Sequence, residues 1–198
     1  GVFKNGQPND GEFRHGQHIV DVLVVYTPAA RRERGGSAAI RAEIEDAVFR
    51  TNLGFDNSSI PILLRLLLSA EIDWVELGTG IRDEKQRLEA SPQAQQLRDL
   101  TGADLAALMV GGDRPENTKS SGSGGGGFSA MYARSLPGTF LFAHEQGHSF
   151  RAGHEDGRYG LYADSRAYAR CRDDQVPINF AEAEELEEII HIGAFRAS

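Results

Sequence analysis

Three histidines, His144, His148 and His154, stand four and then six positions apart in FAHEQGHSFRAGHED, residues 142 to 156. On an α-helix, residues four apart lie one above the other on one face, so His144 and His148 can offer two imidazole nitrogens to a single ion. Zinc takes histidine nitrogen at about 2.0–2.1 Å, and a catalytic zinc site combines three protein ligands with one open position for water. Glu145 follows His144 directly but projects at a different angle, toward that water rather than the ion, which is the place of a general base. The next helical position on the histidine face is Ala152, so a third ligand must come from elsewhere. Gly153 permits a bend that a continuing helix would not, and His154 comes immediately after it. With six histidines and 16 glutamates in 198 residues, HExxH alone is a roughly one-in-a-hundred accident, and a further histidine at a set later position lowers that about thirtyfold.

Two other readings of these residues stay open. A carboxylate, Asp156 or one from the acidic run Glu182 to Glu188, could replace His154 as third ligand. Alternatively, the ion could stabilise a binding module that catalyses nothing. Asp156 could also accept a hydrogen bond from a ligand histidine or hold the turn after His154. His15, His18 and His191 lie far from the motif and read as surface residues.

Composition excludes several classes. A formal charge of -8, with scattered basic residues, argues against nucleic-acid binding, which needs clustered Lys and Arg. No apolar run approaches the roughly 20 residues needed to cross a bilayer, so no membrane partner is expected. Cys171 is the only cysteine, which leaves no intramolecular disulfide. At 198 residues the chain fits one domain with a single core, and a monomer is expected. The first residues, GVFKNGQPNDGEF, lack the regions of a signal peptide, which fits a cytoplasmic protein or a mature chain already trimmed of one.

The elements that must position the histidines follow from periodicity. HIVDVLVVYTP reads as a strand buried on both faces, Ile19 to Tyr26, ended by Pro28. A helix follows, with Ser37 as its cap and Ile40, Ile44, Val48, Thr51 and Phe55 at helical spacing. Residues 61 to 77 suggest a second strand. Ser91 and Pro92 open a short helix that stops before Gly102, and residues 103 to 110 form a third strand. The glycine-rich GGDRPENTKSSGSGGGG, 111 to 127, reads as a mobile loop beside the histidines. Phe128 to Arg134 reads as an edge strand, TFLFAHEQGHSF as the helix bearing the motif, and the segment after Asn179 as a closing helix. The alternation of strands and helices implies an α/β or α+β class with a mixed, mostly parallel twisted sheet.

HExxH with a third histidine six residues later resembles the metzincin family of zinc endopeptidases. VDVLVVYTPAA, GGSAAIRAEIEDAV, GADLAALMV and FAHEQGH look like its reprolysin-like bacterial branch, which includes peptidyl-Asp metalloendopeptidases. The resemblance covers residues 19 to 170. It implies a Zn2+ cofactor held by His144, His148 and His154, with Glu145 as catalytic base, protein or peptide substrates, and secretion. It also implies a single catalytic domain, with residues 1–154 carrying the active-site helix and 155–198 forming a small C-terminal subdomain. Peptide would pair with an edge strand, for which residues 126 to 134 are the candidate. An acidic specificity would need a basic pocket residue, with Arg134, Arg151 or Arg166 as candidates.

The chain also departs from the family pattern. The family's glycine three residues after the second histidine is Arg151 here, where a left-handed backbone costs on the order of 1 kcal/mol, and Gly153 offers to move that turn two residues on. The methionine of the family's downstream turn is absent. SRAYARC would place Arg166 at its position, keeping Ala167 and Tyr168, whose side chain either lies near the zinc or packs in the core.

Overall fold

The computed structural model describes residues 18–112, 115 and 120–154, together with the backbone of residues 3–4 and 7–8. These last two pairs are the short antiparallel strands β1 (Phe3–Lys4) and β2 (Gln7–Pro8). The remaining elements are β3 (His18–Tyr26), α1 (Pro28–Glu33), α2 (Ser37–Asn57), β4 (Ile62–Glu71), α3 (Ile81–Ala90) and α4 (Pro92–Thr101). They continue with β5 (Leu105–Val110), β6 (Gly122–Gly125), β7 (Phe128–Tyr132), a 3-10 turn (Ala133–Ser135) and α5 (Leu141–Ser149). The subdomain expected over 155–198, with Asp156, Arg166, Tyr168, Cys171, Glu182 to Glu188 and His191, lies outside the described residues, as does His15.

Five strands form one sheet in the order β4-β3-β5-β7-β6, parallel except for the antiparallel β6. This is the mixed, mostly parallel α/β architecture expected from the sequence. The apolar runs of β3 from Val22 onward and of β5 are explained by burial on both faces, whereas the leucine-rich β4, at the other sheet edge, is mostly half-buried. Along β3, Val22, Val24 and Tyr26 enter one core with Ile40, Ile44 and Val48 of α2 and Leu141 and Phe142 of α5. Leu23 and Val25 enter the other, with Ile81 and Leu88 of α3 and Ala94 of α4. The period of two along the strand thus sends alternate residues to opposite helical layers.

Several local expectations need correction. Ser37 is the first helical residue and not the cap; Gly36 occupies that place without a side-chain bond, because Gly35 and Gly36 turn the chain with φ of 85° and 118°. Ser91 does cap α4, accepting from the Ala94 N–H, and Gly102 ends it in the left-handed region. The strand read over 61 to 77 stops at Glu71.

Helix α3 was not anticipated. Its buried Ile81, Glu84 and Leu88 follow a 3-4 spacing, but they are outnumbered by charge. Glu84 holds it, accepting from Trp74 Nε1 at 2.8 Å, the Leu77 N–H at 2.7 Å and Arg87 Nη1 at 2.7 Å.

The largest correction concerns the sheet edge. Gly122–Gly125, read as part of a mobile loop, forms β6, and β6 is the outermost strand; β7 is interior, paired with β5 and β6. A strand without large side chains can form here because a helix lies against it too closely to admit them.

Candidate metal centre

Helix α5 is held on the sheet by Leu141, Phe142 and Ala143, all buried, and by Gln146 Nε2, which donates to Ser129 Oγ of β7 at 2.9 Å. With that face committed to the core, the next face around the helix carries His144 and His148. His148 Nε2 lies 3.1 Å from His144 Nε2 and 3.0 Å from His154 Nε2. One ligand nitrogen from each ring falls within 4.8 Å of the others. A tetrahedral ion with nitrogens at about 2.0–2.1 Å would separate them by about 3.3–3.4 Å, so two of these separations already match a shared ion to a few tenths of an ångström.

The bend that delivers His154 has a definite construction. The Arg151 N–H bonds the His148 carbonyl at 3.0 Å and the Ala152 N–H bonds the Gly147 carbonyl at 3.0 Å. These are the paired bonds of a Schellman turn, whose defining residue is left-handed. That residue is Arg151, with φ 68°. The turn therefore stays three residues after His148, where the family pattern has glycine, and does not move to Gly153.

The same turn orients a ring. His148 Nδ1 lies 3.0 Å from the Ala152 carbonyl, and a carbonyl can only accept, so Nδ1 carries the proton and Nε2 keeps its lone pair toward the other histidines. A donor set of three imidazoles, one fixed in the ligating tautomer, fits zinc or another borderline divalent metal.

Glu145 is only 3% exposed and lies beneath β6. A Cβ on Gly122 would stand 2.3 Å from Glu145 Oε1 and 2.6 Å from its Cδ, and one on Gly124 would stand 2.2 Å from the Glu145 backbone oxygen. Both glycines face the helix because they are two apart on a strand. Composition alone masked their role, since a glycine-rich run ordinarily signals a loop; the visible clue was their alternation.

The three histidines and Glu145 open into a groove of about 480 Å3, walled by β6 on one side and by Arg82, Lys85, Gln86 and Glu89 of α3 on the other. Of the basic residues nominated from sequence, Arg134 and Arg151 do not line it. Arg134 reaches toward Glu33 at 3.7 Å, and Arg151 is exposed at the turn. Arg166 lies outside the described residues. His18, exposed at the start of β3, is a surface residue as expected. No helix among the described residues is long and apolar enough to cross a membrane.

No family model matches the chain. Its sequence is similar to two curated proteins, each named peptidyl-Asp metalloendopeptidase. The one from Pseudomonas aeruginosa is 29% identical, with 75% of this chain and 30% of that protein covered. The one from Stenotrophomonas maltophilia is 29% identical, with 69% and 34% covered. The chain thus spans about a third of the length of these relatives. A solved structure described as a chaperone-substrate complex shares the fold, with a TM-score of 0.60 over 76% of this chain and 32% of that chain, at 16% identity.

Proposed function

We propose that the chain is the catalytic unit of a zinc-dependent endopeptidase of the metzincin type, with His144, His148 and His154 as metal ligands and Glu145 as general base. The observation that carries this reading is the convergence of three imidazole nitrogens beside a buried carboxylate, in a groove bounded by a strand edge that no other strand pairs with among the described residues. The two relatives named as metalloendopeptidases support the same class.

Bound zinc would supply Lewis acidity toward a peptide carbonyl and toward water. The chain supplies the rest. Glu145, held by the helix and by Gly122, takes a proton from the attacking water and delivers it to the departing amine. The outer edge of β6 presents backbone N–H and C=O groups to which an extended peptide can add as a further strand. This replaces residues 126 to 134 as the pairing edge. Burial of the carboxylate keeps bulk water from competing for its proton. Residues 155–198 would complete the domain as its small C-terminal part, and secretion belongs to the same reading.

The test is the Glu145→Gln protein. It should bind one zinc per chain by metal analysis yet fail to hydrolyse an unstructured protein that the unaltered chain cleaves. Undiminished cleavage by the variant would remove Glu145 from the reaction, and no cleavage by the zinc-loaded unaltered chain would leave a metal-stabilised binding module.

A further inference from the structure

The outer edge of β6 is not uniform along its length. The Tyr132 N–H donates to the Ser121 carbonyl at 3.1 Å, and opposed residues of an antiparallel pair alternate between hydrogen-bonded and non-hydrogen-bonded positions. In the register Gly122↔Met131, Ser123↔Ala130, Gly124↔Ser129 and Gly125↔Phe128, the bonded positions are therefore Ser121, Ser123 and Gly125. Gly122 and Gly124 turn their N–H and C=O groups the other way, away from β7 and toward the groove that both residues line.

Those two rungs of the edge differ. Ser120, which also lines the groove, donates its hydroxyl to the Gly122 carbonyl. Among the described residues, Gly124 has no hydrogen-bond partner for either its outward N–H or its outward carbonyl, and Gly122 has none for its N–H. Gly122 is level with the Glu145 carboxylate, since a Cβ there would stand 2.3 Å from Oε1. Gly124 lies against the Glu145 backbone, about 7 Å along the strand at about 3.4 Å per residue. A peptide that covers this edge expels water from it, and a carbonyl then left without a donor is costly. The Ser120 hydroxyl already serves the Gly122 carbonyl, whereas the Gly124 carbonyl depends on the peptide.

We infer that Ser120 decides which backbone groups of an extended peptide the edge recognises. Within β6 the peptide donates one N–H, to the Gly124 carbonyl, and the rung level with Glu145 takes only a peptide carbonyl, through the Gly122 N–H. This holds for either direction of the added strand, because an outward carbonyl meets one peptide N–H in both arrangements. The substrate is thus tied firmly one rung away from the reacting groups and lightly beside them. This inference rests on the proposed addition of peptide to β6 and adds which main-chain groups that addition uses.

The test is read by binding, without hydrolysis. A fluorescently labelled heptapeptide with a central Asp is titrated by anisotropy into the zinc-loaded Glu145→Gln protein, and each backbone amide is replaced in turn by an ester, which removes the N–H without adding bulk. One ester position should weaken binding about three- to tenfold, the scale of one lost backbone hydrogen bond, and the others by less than about twofold. Adding Ser120→Ala frees the Gly122 carbonyl, so a second ester position should become damaging, two residues from the first, and the parent peptide should bind about three- to tenfold more tightly. Adding Ser120→Thr keeps a hydroxyl and should keep the single sensitive position. Two or more sensitive positions with Ser120 present, none in a peptide that binds, or an unchanged scan with Ser120→Ala overturns the inference. Failure of the peptide to bind at all overturns it together with strand addition at β6, whereas absence of cleavage by the chain with Glu145 intact counts against the peptidase reading alone.

Discussion

Gly122 of β6 faces Glu145 of α5 so closely that a single methyl group on the glycine would stand 2.3 Å from the carboxylate oxygen Oε1. Gly122 is not among the positive-φ glycines, so no backbone conformation demands glycine here. Space demands it. The strand edge and the carboxylate are thus placed by one contact, and the side chain confined by it is the one assigned the proton transfer.

Gly122→Ala should therefore act on chemistry before it acts on folding. The obstructing atoms belong to a side chain, which can rotate away at modest cost, but it then leaves its position beside the histidines. A displacement of about 1 Å at a reacting group can cost on the order of a hundredfold in rate, and that is the expected loss in hydrolysis, with zinc content by metal analysis unchanged. Gly124→Ala differs, because its methyl would meet the Glu145 backbone oxygen at 2.2 Å, and neither backbone can yield alone. It should destabilise the fold by about 1–3 kcal/mol, lowering the thermal midpoint by about 2–4 °C per kcal/mol. A Gly122→Ala protein with full activity would dissolve the link between strand and base.

Arg151 makes a separate prediction possible, since it holds the left-handed position of the Schellman turn without being glycine. Replacing it by Gly removes the clash of Cβ with the backbone, a gain of about 1 kcal/mol, partly offset by the larger entropy of the unfolded chain. Arg151→Gly should raise the thermal midpoint by about 1–3 °C and leave zinc affinity intact, as calorimetry with metal titration would record. A lower midpoint would show that the Arg151 side chain contributes more than its backbone strain costs.

The third ligand separates the zinc assignments. With His154 supplying one of three nitrogens, His154→Ala should lose zinc on dialysis against a weak chelator that the unaltered chain withstands, because a two-histidine site binds the ion far more weakly. Retention of one zinc per chain by the variant would move the third ligand to a carboxylate, the reading in which Asp156 or the Glu182 to Glu188 run completes the site.

The sequence made the histidine helix and the parallel strands legible because both carry strong patterns: four-residue stacking for His144 and His148, and apolar runs for β3, broken only by Asp21, and β5. What it concealed was tertiary in origin. The Gly122 and Gly124 strand carries no hydrophobic pattern, since its inward face is occupied by Glu145 and not by a core. Helix α3 hid behind its charges, because two of its inward positions are apolar and the third is a glutamate satisfied by donors from the preceding segment. Consequently the basic residues sought near the motif in sequence were Arg134, Arg151 and Arg166, whereas the groove draws Arg82 and Lys85 from some sixty residues upstream.

Glu84 provides the last prediction, because the position of the whole α3 wall depends on it. Its carboxylate, 4% exposed, takes N–H groups from Trp74, Leu77 and Arg87, three donors that no apolar substitute could satisfy. Glu84→Ala leaves the Trp74 and Leu77 donors without their acceptor and should cost about 3 kcal/mol, a fall of about 6–12 °C in thermal midpoint. Trp74 is the sole tryptophan of the chain, so its emission reports on this clamp alone. Below the melting transition the variant should emit to the red of the unaltered protein as the indole loosens into water. If emission stayed unchanged while the midpoint fell, Glu84 would stabilise the fold without fixing the wall, and the position of α3 would have to be held by Ile81 and Leu88.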